Sequence, residues 1–384
     1  MPYSYLYLFG LIPGLLSSVL VGIFPVFRRP VPALLLAFLS AIVFFRREFP
    51  AVLVQVILIW ILIRCIGRIP AKHPRNRAMR WRYAALLLTA FSGSFLLTDL
   101  FLKGGYFRAF GVTWIIYGHQ MMLFLRLISL IWEFGVGRVI DVPLRSYFEW
   151  VFFPCTLGIL IWRFSDYQKQ YPLKCSDERP PLPKWCRWLG ALACLQIAGA
   201  VLLQNWMDRF ASGSQRSLAV QLSVIFFAGP WMLYLLAAGA TNAMRSLGCF
   251  WNVELPPGYE RPYGRVNISE YWAHFNMSAT YLFRDMLFYN RWGMKKLNPY
   301  INSVVVFSLI GLWHGSNLQR LSWGVLNGLG FAAFLWWRSR PQLSGFSVRL
   351  GLPPRVAQFG SAAFTYVFIC SCDYVATQIS LSVH

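Results

Sequence analysis

One histidine stands where the surrounding sequence is built to exclude water. Ile310-Gly311-Leu312-Trp313-His314-Gly315 closes an apolar run that opens at Ser303-Val304-Val305-Val306-Phe307. An ionisable side chain held near hydrocarbon depth costs roughly a few kcal/mol or more unless a partner or a cavity receives it, so it marks a functional site by default. A neutral imidazole in such a place can accept a proton from a hydroxyl, or it can bridge two helices by hydrogen bonds. His314 alone leaves both readings open. Gly311 and Gly315 flank the Trp-His pair and leave room for a backbone or a ligand to come close. No H-x-x-x-H, H-x-x-E or Cys spacing accompanies His314 and no carboxylate is near it in sequence, so no metal is expected.

The chain holds five histidines, which permits elimination. His73 sits in a basic loop and His384 is the last residue of the sequence; neither has the fixed surroundings that acid–base chemistry requires. His119, in Tyr117-Gly118-His119-Gln120, lies inside an apolar segment and is either a structural hydrogen-bonding residue or a second site residue. His274 falls on the polar side of its helix, where a solvated or ion-paired role is expected.

The elements that must position His314 are apolar helices. Of the 384 residues 57% are hydrophobic and 13% charged, against roughly 45–50% and about 25% in an ordinary soluble domain. Runs near the roughly 20 residues needed to cross a bilayer recur at about 5–26, 31–45, 49–66, 83–102, 109–132, 147–163, 188–206, 218–240, 301–317, 319–337 and 357–380. The expectation is an all-α polytopic membrane protein of roughly eleven transmembrane helices, the short second one being the weakest. Met1 to Phe27 lacks a basic start and a small-residue cleavage site, so the first segment reads as retained.

The net charge of +22 is not that of a nucleic-acid reader, because the basic residues lie between apolar runs rather than on a soluble surface with stacking aromatics. Arg64, Arg68, Lys72, Arg75, Arg77, Arg80 and Arg82 form an acid-free cluster that the positive-inside rule assigns to the cytoplasm. The eight cysteines are scattered, with neither C-x-x-C spacing nor a disulfide framework, and read as small buried hydrophobes. Tyr167 to Lys184, with four prolines, is a connecting loop. It leaves residues 1–384 as a single membrane domain.

Thr241 to Tyr300 mixes charges with aromatic residues over a length too great for a simple loop. A helix is expected from Asn267-Ile268-Ser269-Glu270, which resembles a capping box. Projected at about 100° per residue, it carries Trp272, Phe275, Ala279, Phe283 and Met286 on one face, Glu270, His274, Tyr281, Arg284 and Asp285 on the other, and Asn276 on the flank of the apolar face. Such a helix lies at the interface or lines a cavity.

Three motifs then carry a resemblance. The stretch Asn267 to Asp285 (NISEYWAHFNMSATYLFRD), Gly311-Leu-Trp-His-Gly315 and Trp323-Gly-Val-Leu-Asn-Gly328 resemble the signature of the membrane-bound O-acyltransferases, on the bacterial branch of alginate O-acetylation and teichoic-acid D-alanylation. The match is strongest over about residues 240–330. Phe152-Phe153-Pro154, Leu157-Gly158 and Arg163-Phe164 resemble a further segment of that family, with Ile159 where a proline is usual. Ala273, His274 and Phe275 depart from the x-Arg-Trp common in that branch, which puts the contact made by the missing arginine in doubt. Asn276 holds a position that is His or Asn among relatives.

The resemblance implies a set of helices around a central cavity, with interfacial or re-entrant helices between the spans. It implies transfer of an acyl group from a cytoplasmic thioester, acyl-CoA or acyl-carrier protein, to a hydroxyl of an exported or envelope glycan. No permanently bound cofactor is implied. His314 is then the general base and Asn276 a donor to the thioester carbonyl or an orienter of the hydroxyl. Trp313, Trp272, Ser278, Arg284, Asp285 and His119 are candidates for lining the substrate cavity, with Lys295-Lys296 at its rim; a solvated face with local ion pairs is the alternative for the charged ones. Partners would be the bilayer and an accessory envelope acyltransferase or carrier protein. The location would be a bacterial inner membrane, or an endomembrane in a eukaryote. Two other classes remain: an inactive scaffold of the same fold, and a transporter, for which only Asp99, Arg126 and Glu133 stand as isolated intramembrane charges.

Overall fold

The computed structural model describes residues 3–46, 49–69, 78–90, 92, 121–157, 160–174, 183–210, 217–288, 298–315, 317–340 and 353–382. His73, Asp99, His119, Cys175, Lys295, Lys296, His384 and the tip of the basic loop (Lys72, Arg75 and Arg77) lie outside them. Among the described residues the regular elements are all helical. Lys184–Arg209, Leu218–Trp251 and Pro354–Ile379 are long and apolar enough to cross a membrane, and Leu11–Ile23, Pro30–Phe45, Val52–Gly67 and Pro299–His314 are shorter apolar helices. The chain divides into two compact units, Met1–Ile197 with Leu236–Pro257 and Ala198–Leu235 with Gly258–His384.

The first unit opens with α1 (Tyr3–Ile23), α2 (Pro30–Phe45), α3 (Phe49–Gly67) and α4 (residues 78–90). On α2 the inward stripe Ala33, Ala37, Ala41 and Phe44 is buried, while Val31, Leu35, Leu39 and Ile42 project outward and exposed. A helix apolar on both faces suits lipid on its outer side rather than water.

The expected continuous span at 147–163 is not one. After α5 (Met121–Gly135), α6 runs only over Leu144–Val151, a 3-10 turn follows at Pro154–Thr156, and α7 begins at Phe164 (Phe164–Lys174). Pro154 lacks the N–H that would continue the helix. The carbonyls this leaves at the end of α6 are met by the buried Arg126 of α5, whose guanidinium donates to Val151 O (3.0 Å) and Trp150 O and lies over the Trp150 ring at 4.9 Å. Glu133 serves the other side of the break, accepting from the Ser165 hydroxyl (2.5 Å) and backbone N–H (3.2 Å) in the first turn of α7. There a carboxylate complements the free N–H groups and the helix dipole. Around these two charges Phe153 packs on Trp162 and Trp251, both at 5.2 Å.

The reading of the cysteines needs correction. Cys186, in the first turn of α8 (Lys184–Phe210), forms a disulfide with Cys249, just past α10 (Gly229–Gly248), with Cα atoms 6.6 Å apart. A separation of 63 residues is invisible to a search for local spacing. Cys155, Cys370 and Cys372 are buried as expected, whereas Cys65 and Cys194 are exposed.

In the second unit, α11 (Ile268–His274) begins at the expected capping box: Asn267 Oδ1 accepts from the Glu270 N–H (2.9 Å) and Asn267 Nδ2 donates to Glu270 Oε1 (2.9 Å). The helix then breaks, where a continuous one was expected. Phe275 is extended, Asn276 is left-handed (φ 45°, ψ 55°), and α12 restarts at Met277–Phe283. Asparagine tolerates this conformation better than most residues. A loop strand satisfies the opened backbone, since Glu260 N–H donates to His274 O (3.0 Å) and Met277 N–H to Gly258 O (2.7 Å).

Next come α13 (Pro299–His314) and α14 (Leu318–Arg338), joined by a short turn, with α15 (Pro354–Ser382) packed on α14. The hairpin is close because Gly311 and Gly324 lack side chains: a Cβ on the first would strike the Arg320 carbonyl, and on the second the Phe307 carbonyl. The close approach expected at Gly311 is therefore to the backbone of α14.

Candidate functional site

His314 is the last residue of α13, half-buried, and its imidazole makes no hydrogen bond among the described residues. Its ring lies 4.3 Å from that of Trp313 and meets Trp323 of α14 edge-on at 5.6 Å. Trp323 in turn touches Trp272 of α11 (5.7 Å), and Trp272 touches Phe307 of α13 (5.3 Å). From α12, Phe283 packs on Trp313 at 5.6 Å. The two short helices on either side of Asn276 are thus each anchored to the segment that carries His314. One arm reaches it through Trp323 and the other through Trp313.

Asn276 has its helix-start position without its usual task, for its side chain caps nothing and makes no hydrogen bond among the described residues. No hydrogen bond joins it to His314. Three further expected residues behave alike: Trp272 Nε1, Trp313 Nε1 and Ser278 Oγ are buried and have no hydrogen-bond partner among the described residues. Buried polar groups are nearly always bonded. Three orphans on the two short helices and the end of α13 mark a place where a polar ligand or water completes the set.

The remaining candidates are placed elsewhere in their chemistry. Arg284 and Asp285 pair with each other (3.3 Å) in the turn after α12, and Arg284 lies over the Tyr281 ring at 4.7 Å. Within the helix after Asn276 the wheel holds, with Met286 buried and Arg284 exposed. His274 Nδ1 is engaged with the Glu270 carbonyl at 2.8 Å.

Two residues were not singled out from the sequence. They are Arg320, on the first turn of α14, and Asp373 of α15. The local signal for Arg320 was available, since Asn317 three residues earlier caps α14 through the Arg320 N–H (2.9 Å). Asp373 lies 59 residues beyond His314, so nothing local betrays it.

Among the described residues, an imidazole with no hydrogen-bond partner, an unused amide at a helix break and three unpartnered donors suit proton transfer at a polar substrate in an apolar wall. The chain is similar to the membrane-bound O-acyltransferases. It is 28% identical over 104 residues to the peptidoglycan O-acetyltransferase of Helicobacter pylori, covering 27% of this chain and 20% of that protein. It is 29% identical over 102 residues to the probable alginate O-acetylase AlgI of Pseudomonas putida, covering 26% and 21%. To the teichoic acid D-alanyltransferase of Streptococcus thermophilus it is 22% identical over 169 residues, 41% of this chain and 40% of that protein. The matches therefore span about a fifth of the first two relatives and two fifths of the third. No family model matches the chain.

Proposed function

We propose that the chain is a membrane-embedded O-acyltransferase, and that it moves a short acyl group from a cytoplasmic thioester to a hydroxyl of an envelope or exported glycan. The observation that carries this reading is the concentration in one unit of the His314 imidazole, the Asn276 amide and the buried donors Trp272, Trp313 and Ser278, none of which has a side-chain hydrogen-bond partner among the described residues. The relatives' names, an O-acetyltransferase, an O-acetylase and a D-alanyltransferase, support the class of reaction.

In this mechanism His314 takes the proton of the acceptor hydroxyl as its oxygen attacks the thioester carbonyl. A neutral imidazole is suited to that role. The C–S bond then breaks and the proton passes to the departing thiolate. Asn276, with the indole N–H groups, stabilises the oxyanion; one such donor is worth about 2.7–4 kcal/mol when aimed at developing charge. Transfer is direct, with no acyl-enzyme. Roughly eleven spans in a bacterial inner membrane, and a tunnel reached by donor and acceptor from opposite sides, complete the proposed architecture. The transporter reading loses two of its intramembrane charges, because Arg126 and Glu133 serve helix ends.

Purified protein given acetyl-CoA and an oligosaccharide of the host envelope should release free thiol and add one acetyl mass to the sugar. Absence of both, together with unchanged acyl content of envelope glycans in a deletion strain, would defeat the proposal and favour the scaffold.

Orientation has its own test. Arg64 bonds Asp141 (2.5 Å), Gln168 donates to Asp141 O, and Gln170 donates to Glu254 O (3.0 Å), five residues past Cys249. Arg28 donates to Phe250 O (2.9 Å). The Cys186–Cys249 pair therefore sits at the basic end of its unit. If that end is cytoplasmic, the reducing pool keeps the pair as thiols in the cell. Alkylation of intact cells before lysis should then modify both cysteines; a disulfide already closed in the cell would invert the topology.

A further inference from the structure

The basic end of the first unit holds a cavity of about 390 Å³ that the acyl-transfer reading does not use. Its walls are the last turns of α3 (Trp60 and Arg64), Arg68 just past its end, the buried Phe134 at the end of α5, and Ile140 and Asp141 from the loop that follows. From this arrangement we infer that the cavity binds the head group of an anionic phospholipid, a phosphodiester of the phosphatidylglycerol kind.

Charge sets the class of ligand. Arg64 is neutralised by Asp141 across the cavity, with the two side chains 2.5 Å apart. The Arg68 guanidinium, one turn further, makes no hydrogen bond or ion pair among the described residues, and its side chain is exposed. Among the described residues that line the cavity, Arg68 is thus the one cation without an acid beside it, and the single negative charge of a phosphodiester answers it.

Position and shape favour a lipid over a free phosphate. Basic pockets between helices at a membrane face are established binders of anionic head groups. Ile140 stands 77% exposed beside the cavity, an apolar group that gains only if acyl chains rather than water cover it. Trp60 donates its indole N–H to Val142 O at 3.0 Å and is also crossed by Arg64, its ring centroid 5.8 Å from the guanidinium carbon. This fixes an indole where such rings anchor at the boundary of hydrocarbon and head groups. The volume lies within the roughly 300–1,000 Å³ of ligand pockets.

The test is native mass spectrometry of the purified full chain with equal amounts of phosphatidylglycerol and phosphatidylcholine of the same acyl chains. Wild-type protein should retain the anionic lipid preferentially. Arg68→Gln should lower that preference about fivefold, the weight of one basic residue near a lipid surface, while the protein stays monodisperse on size exclusion. Arg187→Gln, another basic residue of the same unit outside the cavity, should leave it unchanged. Excess soluble glycerol phosphate should not displace the lipid. The inference fails if Arg68→Gln retains phosphatidylglycerol like wild type, if Arg187→Gln loses as much, or if glycerol phosphate competes on equal terms, which would make the site one for a free phosphate.

Discussion

His314→Ala should lower acyl transfer by about 10²–10⁴-fold, the usual contribution of a positioned general base, while the protein still folds and inserts. The expectation of normal folding has a structural ground: the imidazole holds no hydrogen bond among the described residues, so its removal strands none of them. A histidine that bridged helices would behave in the opposite way, its loss costing about 1–3 kcal/mol of stability with little effect per folded molecule. Asn276→Ala should lower turnover by about 10²–10³-fold, as when one oxyanion donor is lost. It also removes a residue suited to the left-handed backbone at φ 45°, so Asn276→Gly, which keeps that conformation without the amide, separates the two effects. His274→Ala should change little, for that ring is tied to the Glu270 carbonyl. The measurement is product per unit of monodisperse protein, with His314→Gln as a polar control. Near wild-type turnover in His314→Ala would end the catalytic assignment.

What could be read beforehand was what is local. The cap at Asn267 and Glu270 depends on residues three apart: the Asn267 side chain accepts from the Glu270 N–H, and the Glu270 carboxylate accepts from the Asn267 side-chain amide rather than from its backbone N–H. His314 could be singled out because a histidine inside an apolar run is improbable without a reason. The break at Asn276 was not legible, because a helical wheel presumes continuity and the groups that compensate for the break, at Gly258 and Glu260, come from an earlier loop. The same holds for Cys186 with Cys249. Pro154 is a different case. A proline in the middle of the run 147–163 was visible, and its missing N–H ought to have divided that span. The orphan indole and hydroxyl groups at Trp272, Trp313 and Ser278 could be nominated by motif alone; that each lacks a partner is a property of the packing.

Arg126→Leu is the substitution expected to remove the fold rather than the chemistry. An arginine inside an apolar segment invites a functional reading, but this one donates to the Trp150 and Val151 carbonyls at the end of α6, where Pro154 prevents the helix from continuing. Leucine fills much of the same space and relieves the burial of a charge, a trade that is often neutral when a buried ion pair is replaced as a whole. Here the partners are backbone carbonyls, which a mutation cannot remove. The Trp150 carbonyl keeps the Phe153 N–H (3.3 Å), but the Val151 carbonyl is left with no donor among the described residues, at a cost of roughly 1–3 kcal/mol, a sizeable part of the roughly 5–15 kcal/mol that holds a typical protein folded. Arg126→Lys keeps a donor and a charge but not the two-pronged geometry, and should fall between. The quantity to compare is the fraction of detergent-solubilised protein that stays monodisperse after graded heating. Arg126→Leu should lose most of it, Arg126→Lys part of it, and His314→Ala none. Should Arg126→Leu survive heating like wild type yet fail to transfer acyl groups, the residue would belong to the reaction and not to the end of α6.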